Sequence, residues 1–247
     1  GDWSSDVCSS DLSVVIPVCN EEESIGILIE EITQALVQKY QHEIIVVDDG
    51  STDKTLEVLS KIKKDLPTLR VIKHLQNSGQ STAVRTGVQY ANSNWIATLD
   101  GDGQNDPADI PNLYNELVSQ NLDPWLVVAG YRKKRKDTWL KRMSSKYANS
   151  IRDRLLRDGT PDTGCGLKVF SRDNFLALPY FDHMHRYIPA LFQRQGGRVV
   201  SVEVNHRHRT QGTSKYGFHN RLWVGIVDIL GVRWLQNRAR LTDTQEL

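Results

Sequence analysis

Asp100-Gly101-Asp102 follows directly on the apolar run Trp95-Ile96-Ala97-Thr98-Leu99. Side chains on a strand alternate with period two, so carboxylates one glycine apart at its exit share one side of the backbone. Paired oxygens of this kind suit a hard divalent cation such as Mg2+, which shares its coordination between one or two carboxylates and substrate phosphates. The exit of a parallel strand is also where α/β sheets bind their ligands. Taken alone, the triplet reads equally well as an Asp-Gly turn that carries a second aspartate. An EF-hand loop is excluded: counted from Asp100, its sixth position is Asn105 instead of glycine and its twelfth is Pro111 instead of glutamate.

Two further strand exits carry polar groups. Asp48-Asp49-Gly50-Ser51 closes the run Glu43 to Val47, and Pro17-Val18-Cys19-Asn20-Glu21-Glu22 closes the run from Ser13. Carboxylates in such places can accept hydrogen bonds from a nucleobase N–H or a ribose hydroxyl, and can equally stabilise a turn. Late in the chain, His206-Arg207-His208-Arg209 precedes Gly212-Thr213-Ser214-Lys215-Tyr216. Arginine forks, a lysine and a serine hydroxyl on a glycine-bearing loop make a phosphate clamp; the plainer alternative is a basic surface loop. His183-Met184-His185-Arg186 offers two histidines without further ligands in register, a poor zinc site and better read as packing around other residues.

The elements that must position these groups alternate. Strands are predicted over 13–18, 43–47, 69–73, 95–99 and 126–129. Between them, helices are marked by Ile25, Leu28, Ile29, Ile32 and Leu36, by about 53–64, by 81–90, and by Ile110, Leu113, Tyr114 and Leu117. Ser51-Thr52-Asp53 supplies capping residues for the second of these helices. Alternating β and α with near-continuous apolar strands means an α/β fold, a mostly parallel sheet with helices on both faces. After Tyr131 a basic helical segment is expected over 132–157, strands over 164–170 and 198–204, and a helix over 183–194. No internal repeat or low-complexity linker interrupts the chain, so residues 13–221 read as one domain and 222–247 as a C-terminal interfacial helix and tail. Residues 1–12 fit nothing downstream, resemble translated adapter sequence, and are set aside, with the native start then expected to be missing.

The net charge of +1 conceals an asymmetry. Residues 13–131 hold 8 Lys/Arg against 17 Asp/Glu, whereas 132–157 hold 11 basic residues against Asp137 and Asp153 alone. An acidic half of that size argues against a nucleic-acid partner, and the basic segment suits an anionic membrane surface or a solvated helix face. Cys8, Cys19 and Cys165 are too few and scattered for a disulfide framework, which points to a reducing compartment. The stretch Leu222 to Leu235 is too short to span a bilayer. No secretory signal is visible at the start.

Together these motifs resemble the inverting glycosyltransferases of family 2, specifically the polyprenyl-phosphate branch that includes dolichyl-phosphate mannosyltransferases and undecaprenyl-phosphate glycosyltransferases. The resemblance rests on Val15 to Glu22, Val47 to Ser51 and Leu99 to Gln104, then on Asp162-Thr163-Gly164-Cys165-Gly166-Leu167-Lys168 and the loop from His206 to Tyr216. It implies a GT-A fold and a transferase that moves a sugar from a UDP- or GDP-sugar to a polyprenyl phosphate. Pro17, Asn20, Glu22, Asp48, Asp49 and Asp100 would then bind the donor. Asp100, Asp102 and Gln104 would hold Mg2+ or Mn2+. Arg207, Arg209, Ser214 and Lys215 would bind the acceptor phosphate. Asp102, Asp162, Arg209 and Lys215 would form the catalytic set, with Asp162 orienting sugar or acceptor. The expected location is the cytoplasmic face of the membrane, peripherally bound, with homo-oligomerisation left open.

A lipid monophosphate is already anionic, so its oxygen can attack the anomeric carbon without a strong general base, and the protein's part is positioning and charge stabilisation. The rival enzyme readings are a processive synthase and a family-2 transferase acting on a glycan or other hydroxyl acceptor. The first lacks its Gln-x-x-Arg-Trp motif, since Leu230 stands where glutamine belongs before Arg233-Trp234. The second would need a base. The non-enzyme alternative is a nucleotide-sugar-binding, membrane-associated scaffold, and the intact acidic donor site argues against it.

Overall fold

The structure, a computed structural model, describes residues 11–132, 152, 154–207, 218–240 and 242, with side chains in the last helix from residue 224 onward. Its centre is a seven-stranded sheet: β1 (Leu12–Val18), β2 (His42–Asp48), β3 (Leu69–Lys73), β4 (Trp95–Thr98), β5 (Leu126–Arg132), β6 (Lys168–Ser171) and β7 (Arg198–Val204), in the order β3-β2-β1-β4-β6-β5-β7. The helices are α1 (Ile25–Leu36), α2 (Thr55–Asp65), α3 (Gln80–Tyr90), α4 (Ile110–Ser119), α5 (Arg172–Leu176), α6 (Ile188–Arg194) and α7 (Phe218–Arg238).

Alternation explains why nearly unbroken apolar strands are needed here. Val14, Ile16 and Val18 of β1 join a core with α1, α2 and α4, while Val15 faces the opposite core with α3, α5 and α6. Ile44 and Val46 divide from Ile45 and Val47 in the same way. A strand buried on both faces has no room for the polar positions of a half-exposed one. The carboxyl ends of β1, β2 and β4 consequently emerge together at one rim, with β1 paired in parallel to both neighbours.

One strand departs from the parallel expectation. β6 runs antiparallel to both β4 and β5, with Thr98 and Ala129 each opposite Lys168. It therefore starts at the rim where its neighbours end, and brings Gly166 and Lys168 to the aspartates. The expected strand over 164–170 is accordingly shorter, its first residues forming the turn that delivers them. The expected helix over 183–194 is a 3-10 turn (Met184–Arg186) followed by α6, with His183 in the left-handed region at φ 65°. Most of the basic segment 132–157 lies outside the described residues.

The helix α7 docks on the second core through Val232 and partly buried Ile229 and Leu235. Arg194 Nε donates to the Leu235 carbonyl at 3.0 Å and Gln236 Nε2 to that of Leu156 at 2.9 Å. Val227, Leu230 and Trp234 stay exposed on its outer side. Among the described residues no helix is long and apolar enough to cross a membrane.

Candidate active site

The Asp100–Gln104 loop leaves β4 in contact with its neighbours. Gly101 lies against β1, where a Cβ would come within 2.6 Å of Val18 Cγ1, and its carbonyl accepts the Ser24 hydroxyl at 3.0 Å. Asp102 Oδ1 accepts the Gln104 backbone N–H at 3.1 Å, closing the loop on itself. Asp100 Oδ1 accepts Gln80 Nε2 at 2.8 Å from the first turn of α3. Burial first, then the charge of Asp102, raises the Asp100 carboxyl above its ordinary value of 3.8, with Lys168 and Arg132 pulling the other way. A pair of carboxylates held near each other at such a cost is the arrangement a divalent cation relieves. Among the described residues no group of three or more His, Cys, Asp or Glu side chains is placed to hold a metal. The set that fits one is therefore Asp100, Asp102 and the Gln104 amide, with coordination left over for phosphate oxygens.

The two aspartates at the end of β2 differ. Asp49 has both oxygens taken by the protein: Oδ1 meets His74 Nδ1 at 2.7 Å and the Ser78 N–H at 2.8 Å, and Oδ2 accepts the Gly79 N–H at 2.8 Å. It shapes the loop that leads into α3. Asp48 is fully buried, accepts the Ser51 N–H on Oδ1 at 3.3 Å, and leaves Oδ2 without a hydrogen-bond partner. A buried carboxylate oxygen without a donor is costly unless a ligand supplies one.

Asn20 and Glu22 serve the same rim from behind. Asn20, at φ 55°, accepts the Thr52 N–H on Oδ1 at 2.7 Å, and Glu22 accepts the Lys54 N–H at 2.8 Å. These bonds tie the exit of β1 to the turn before α2, so both residues position the donor wall. Pro17 lines a pocket with Gln80, Asp100, Gly166, Lys168 and His185.

On the far side, Lys168 is buried and its ammonium donates to the Cys165 carbonyl. Burial lowers its pKa below 10.5, opposed by Cys165, Asp100 and Asp162. Arg132 holds Asp162 with a fork, Nε to Oδ2 at 2.5 Å and Nη2 to Oδ1 at 2.9 Å. Asp162 is thus placed beside the site as the partner of an arginine. A carboxylate clasped in this way is a poor proton acceptor.

Arg207 also differs from the expected phosphate ligand. Its guanidinium contacts Glu31 and Asp106, each at 2.7 Å, while its backbone N–H donates to the Gln104 carbonyl at 3.0 Å. An isolated bridge pairs Asn105 with His206. Arg207 therefore fastens the start of the basic loop to the Asp102–Gln104 loop. Arg209, Ser214 and Lys215 lie outside the described residues.

Gln80, Lys168 and His185 complete the pocket although none was singled out as a site residue from sequence. Gln80 could have been sought as the first residue of the third βα helix, after Gly79. Lys168 stood in the quoted motif. His185 had only its place in the His-Met-His-Arg run.

Residues 13–178 match the model of glycosyl transferase family 2. Over 241 residues the chain is 39% identical to dodecaprenyl-phosphate galacturonate synthase of Rhizobium johnstonii, covering 95% of this chain and 70% of that protein. Undecaprenyl-phosphate 4-deoxy-4-formamido-L-arabinose transferase of Pectobacterium carotovorum subsp. carotovorum is 37% identical over 210 residues, covering 84% of this chain and 63% of that protein. Glucosyl-3-phosphoglycerate synthase from Mycobacterium tuberculosis, solved with Mn2+, uridine diphosphate and glucosyl-3-phosphoglycerate, superposes with TM-score 0.66 at 18% identity, over 96% of this chain and 82% of that one. That likeness establishes the GT-A fold that the sheet order and the acidic rim describe. With the family model spanning every strand exit of the site except those of β7, the chain belongs to glycosyl transferase family 2.

Proposed function

We propose that the protein transfers a sugar from a nucleotide sugar to a polyprenyl phosphate at the membrane surface, with inversion at the anomeric carbon. The observation that carries the acceptor class is the Arg132 fork on Asp162. A hydroxyl acceptor needs a base, and the carboxylate put forward for that task is held ionised by an arginine. A phosphate acceptor arrives already anionic and needs none.

In this reading the buried Asp48 Oδ2 receives an N–H of the donor's base. Asp49, Asn20 and Glu22 keep the surrounding loops in place, and Pro17 forms the floor. Asp100, Asp102 and Gln104 hold Mg2+ or Mn2+, which supplies charge neutralisation of the departing diphosphate. Arg209, Ser214 and Lys215 clamp the lipid phosphate, whose oxygen attacks the anomeric carbon as the bond to the nucleoside diphosphate breaks. Arg207 keeps the clamp's first residues beside the metal loop. Outer α7, with exposed Val227, Leu230 and Trp234, rests at the interface on the cytoplasmic side.

The test is transfer from a panel of UDP- and GDP-sugars to a short polyprenyl phosphate and to the matching polyprenol, each with and without Mn2+. Metal-dependent formation of a polyprenyl-phosphate sugar, with the polyprenol inert, is the expected result. Transfer to a glycan or to the polyprenol instead would move the hydroxyl-acceptor reading ahead.

A further inference from the structure

The pocket beside Asp100 contains a histidine that the mechanism above does not use. Pro17, Val84 and Ile188 form apolar walls, while Gln80, Lys168 and His185 bring polar groups to the carboxylate of Asp100. His185 Nδ1 lies 2.7 Å from Ser81 Oγ in the first turn of α3, and the His185 backbone N–H donates to the same oxygen at 3.2 Å. The serine oxygen thus already accepts one proton, and its own hydroxyl hydrogen is directed to Nδ1. This fixes the tautomer: Nδ1 accepts and Nε2 carries the hydrogen. Nε2 has no protein partner among the described residues. Burial first, then the charges of Arg186, Lys168 and His183, hold the ring well below the usual histidine value of 6.5, so it stays a neutral donor.

From this placement we infer that His185, set by Ser81, hydrogen-bonds through Nε2–H to a hydroxyl or ring substituent of the transferred sugar, and so positions the sugar moiety of the donor. The choice of a sugar over a phosphate follows from the walls. The Asp100 carboxylate repels a phosphate, the Lys168 ammonium is engaged by the Cys165 carbonyl, and an uncharged imidazole offers an anion little. Apolar faces alternating with neutral donors and one acceptor match a pyranose, whose C–H faces are apolar and whose rim carries hydroxyls. The inference rests on the nucleotide-sugar reading of the site.

Calorimetry in Mn2+ separates the two parts of the donor. Wild-type protein is titrated with UDP, with GDP and with a panel of UDP- and GDP-hexoses and hexuronates, and the best-bound nucleotide sugar is carried forward with its own diphosphate. His185→Ala should weaken the nucleotide sugar about five- to tenfold, the loss of one hydrogen bond, with nucleoside diphosphate affinity within twofold of wild type. Ser81→Ala, which frees the tautomer, should give a smaller loss of the same kind. His185→Gln, whose amide can donate from a similar place, should restore part of it. Equal loss of diphosphate and nucleotide sugar would make His185 a structural residue and overturn the inference, as would unchanged nucleotide-sugar affinity. Wild-type protein that binds none of the panel would overturn the donor reading itself, and this inference with it.

Discussion

Gly166 stands where any side chain would collide with Asp100: a Cβ there would lie 2.3 Å from Oδ2 and 2.4 Å from Cγ. The turn before the antiparallel strand β6 thus presses its backbone against the first carboxylate of the pair. Thr98 reinforces the contact by donating its hydroxyl to the Gly166 carbonyl at 2.8 Å. The position of Asp100 is set from β4 and from β6 at once.

Gly166→Ala should therefore displace Asp100 while leaving most of the sheet intact. Overpacking by one methyl costs about 1–3 kcal/mol where the neighbours cannot give way. Metal-dependent nucleotide-sugar affinity should fall at least tenfold, and the melting temperature by several degrees. Calorimetry with Mn2+ beside a thermal melt checks both, and unchanged affinity would show that the Asp100 position does not matter to the donor.

Asp102→Asn asks about the second carboxylate without changing its size. The amide oxygen can still accept the Gln104 N–H, so the loop should persist and stability should change by less than about 1 kcal/mol. Metal-dependent donor binding should be lost. Retention of Mn2+-dependent affinity in this variant would refute the assignment of Asp102 as a ligand.

How much of this was legible beforehand depends on the range of the interaction. Asp100 and Asp102 could be found because their spacing and the preceding apolar run are local. The capping role of Asn20 and the closure of Asp49 on Ser78 and Gly79 were not legible, because each depends on a loop about 30 residues away. The direction of β6 was hidden for another reason: Lys168–Ser171 is buried throughout, as a parallel core strand would be. His185 reaches Ser81 across 104 residues of chain, and no local pattern announces that meeting.

At the other end of the sheet, Glu43 predicts an acid-sensitive anchor. Burial opposes its ionisation, but hydrogen bonds from Ser13, Asn92 and Arg70 outweigh it and hold the carboxyl below its ordinary 4.5. A carboxylate with a depressed folded pKa stabilises the fold above its unfolded pKa, and that contribution is lost as pH falls through the folded value. Wild-type stability should fall as pH drops below about 4.5. Glu43→Gln should be less stable at pH 7 and show a shallower acid decline in denaturant titrations across that range.

The acceptor clamp separates this branch from other members of the family. Losing a hydrogen bond to a charged group costs about 1.5–3 kcal/mol, one to two decades in an equilibrium constant. Arg209→Ala and Lys215→Ala should each raise the polyprenyl phosphate requirement or slow transfer by that order, with donor affinity changed far less. Steady-state kinetics with the lipid phosphate varied would show it, and indifference to both substitutions removes the lipid-phosphate reading.

The pairing of Arg132 with Asp162 yields the sharpest separation between anchor and base. Their side chains are only 10% and 8% exposed, so deleting one partner leaves a buried charge, at a cost of about 3–5 kcal/mol. If Asp162 acted as a proton acceptor, Asp162→Asn would depress kcat and abolish the acidic limb of the rate profile, while Arg132→Met would preserve that limb. If it is the anchor of Arg132, both single variants should lose stability and slow transfer to a similar degree. The double variant Arg132→Met/Asp162→Leu should then regain stability, because no uncompensated charge remains, and its rate should match the singles instead of compounding them. A double-mutant cycle on thermal unfolding, with pH–rate profiles on the same four proteins, decides between them. Rate losses that multiply would make Asp162 an independent participant in the reaction, and a phosphate acceptor that needs no base would lose its main support.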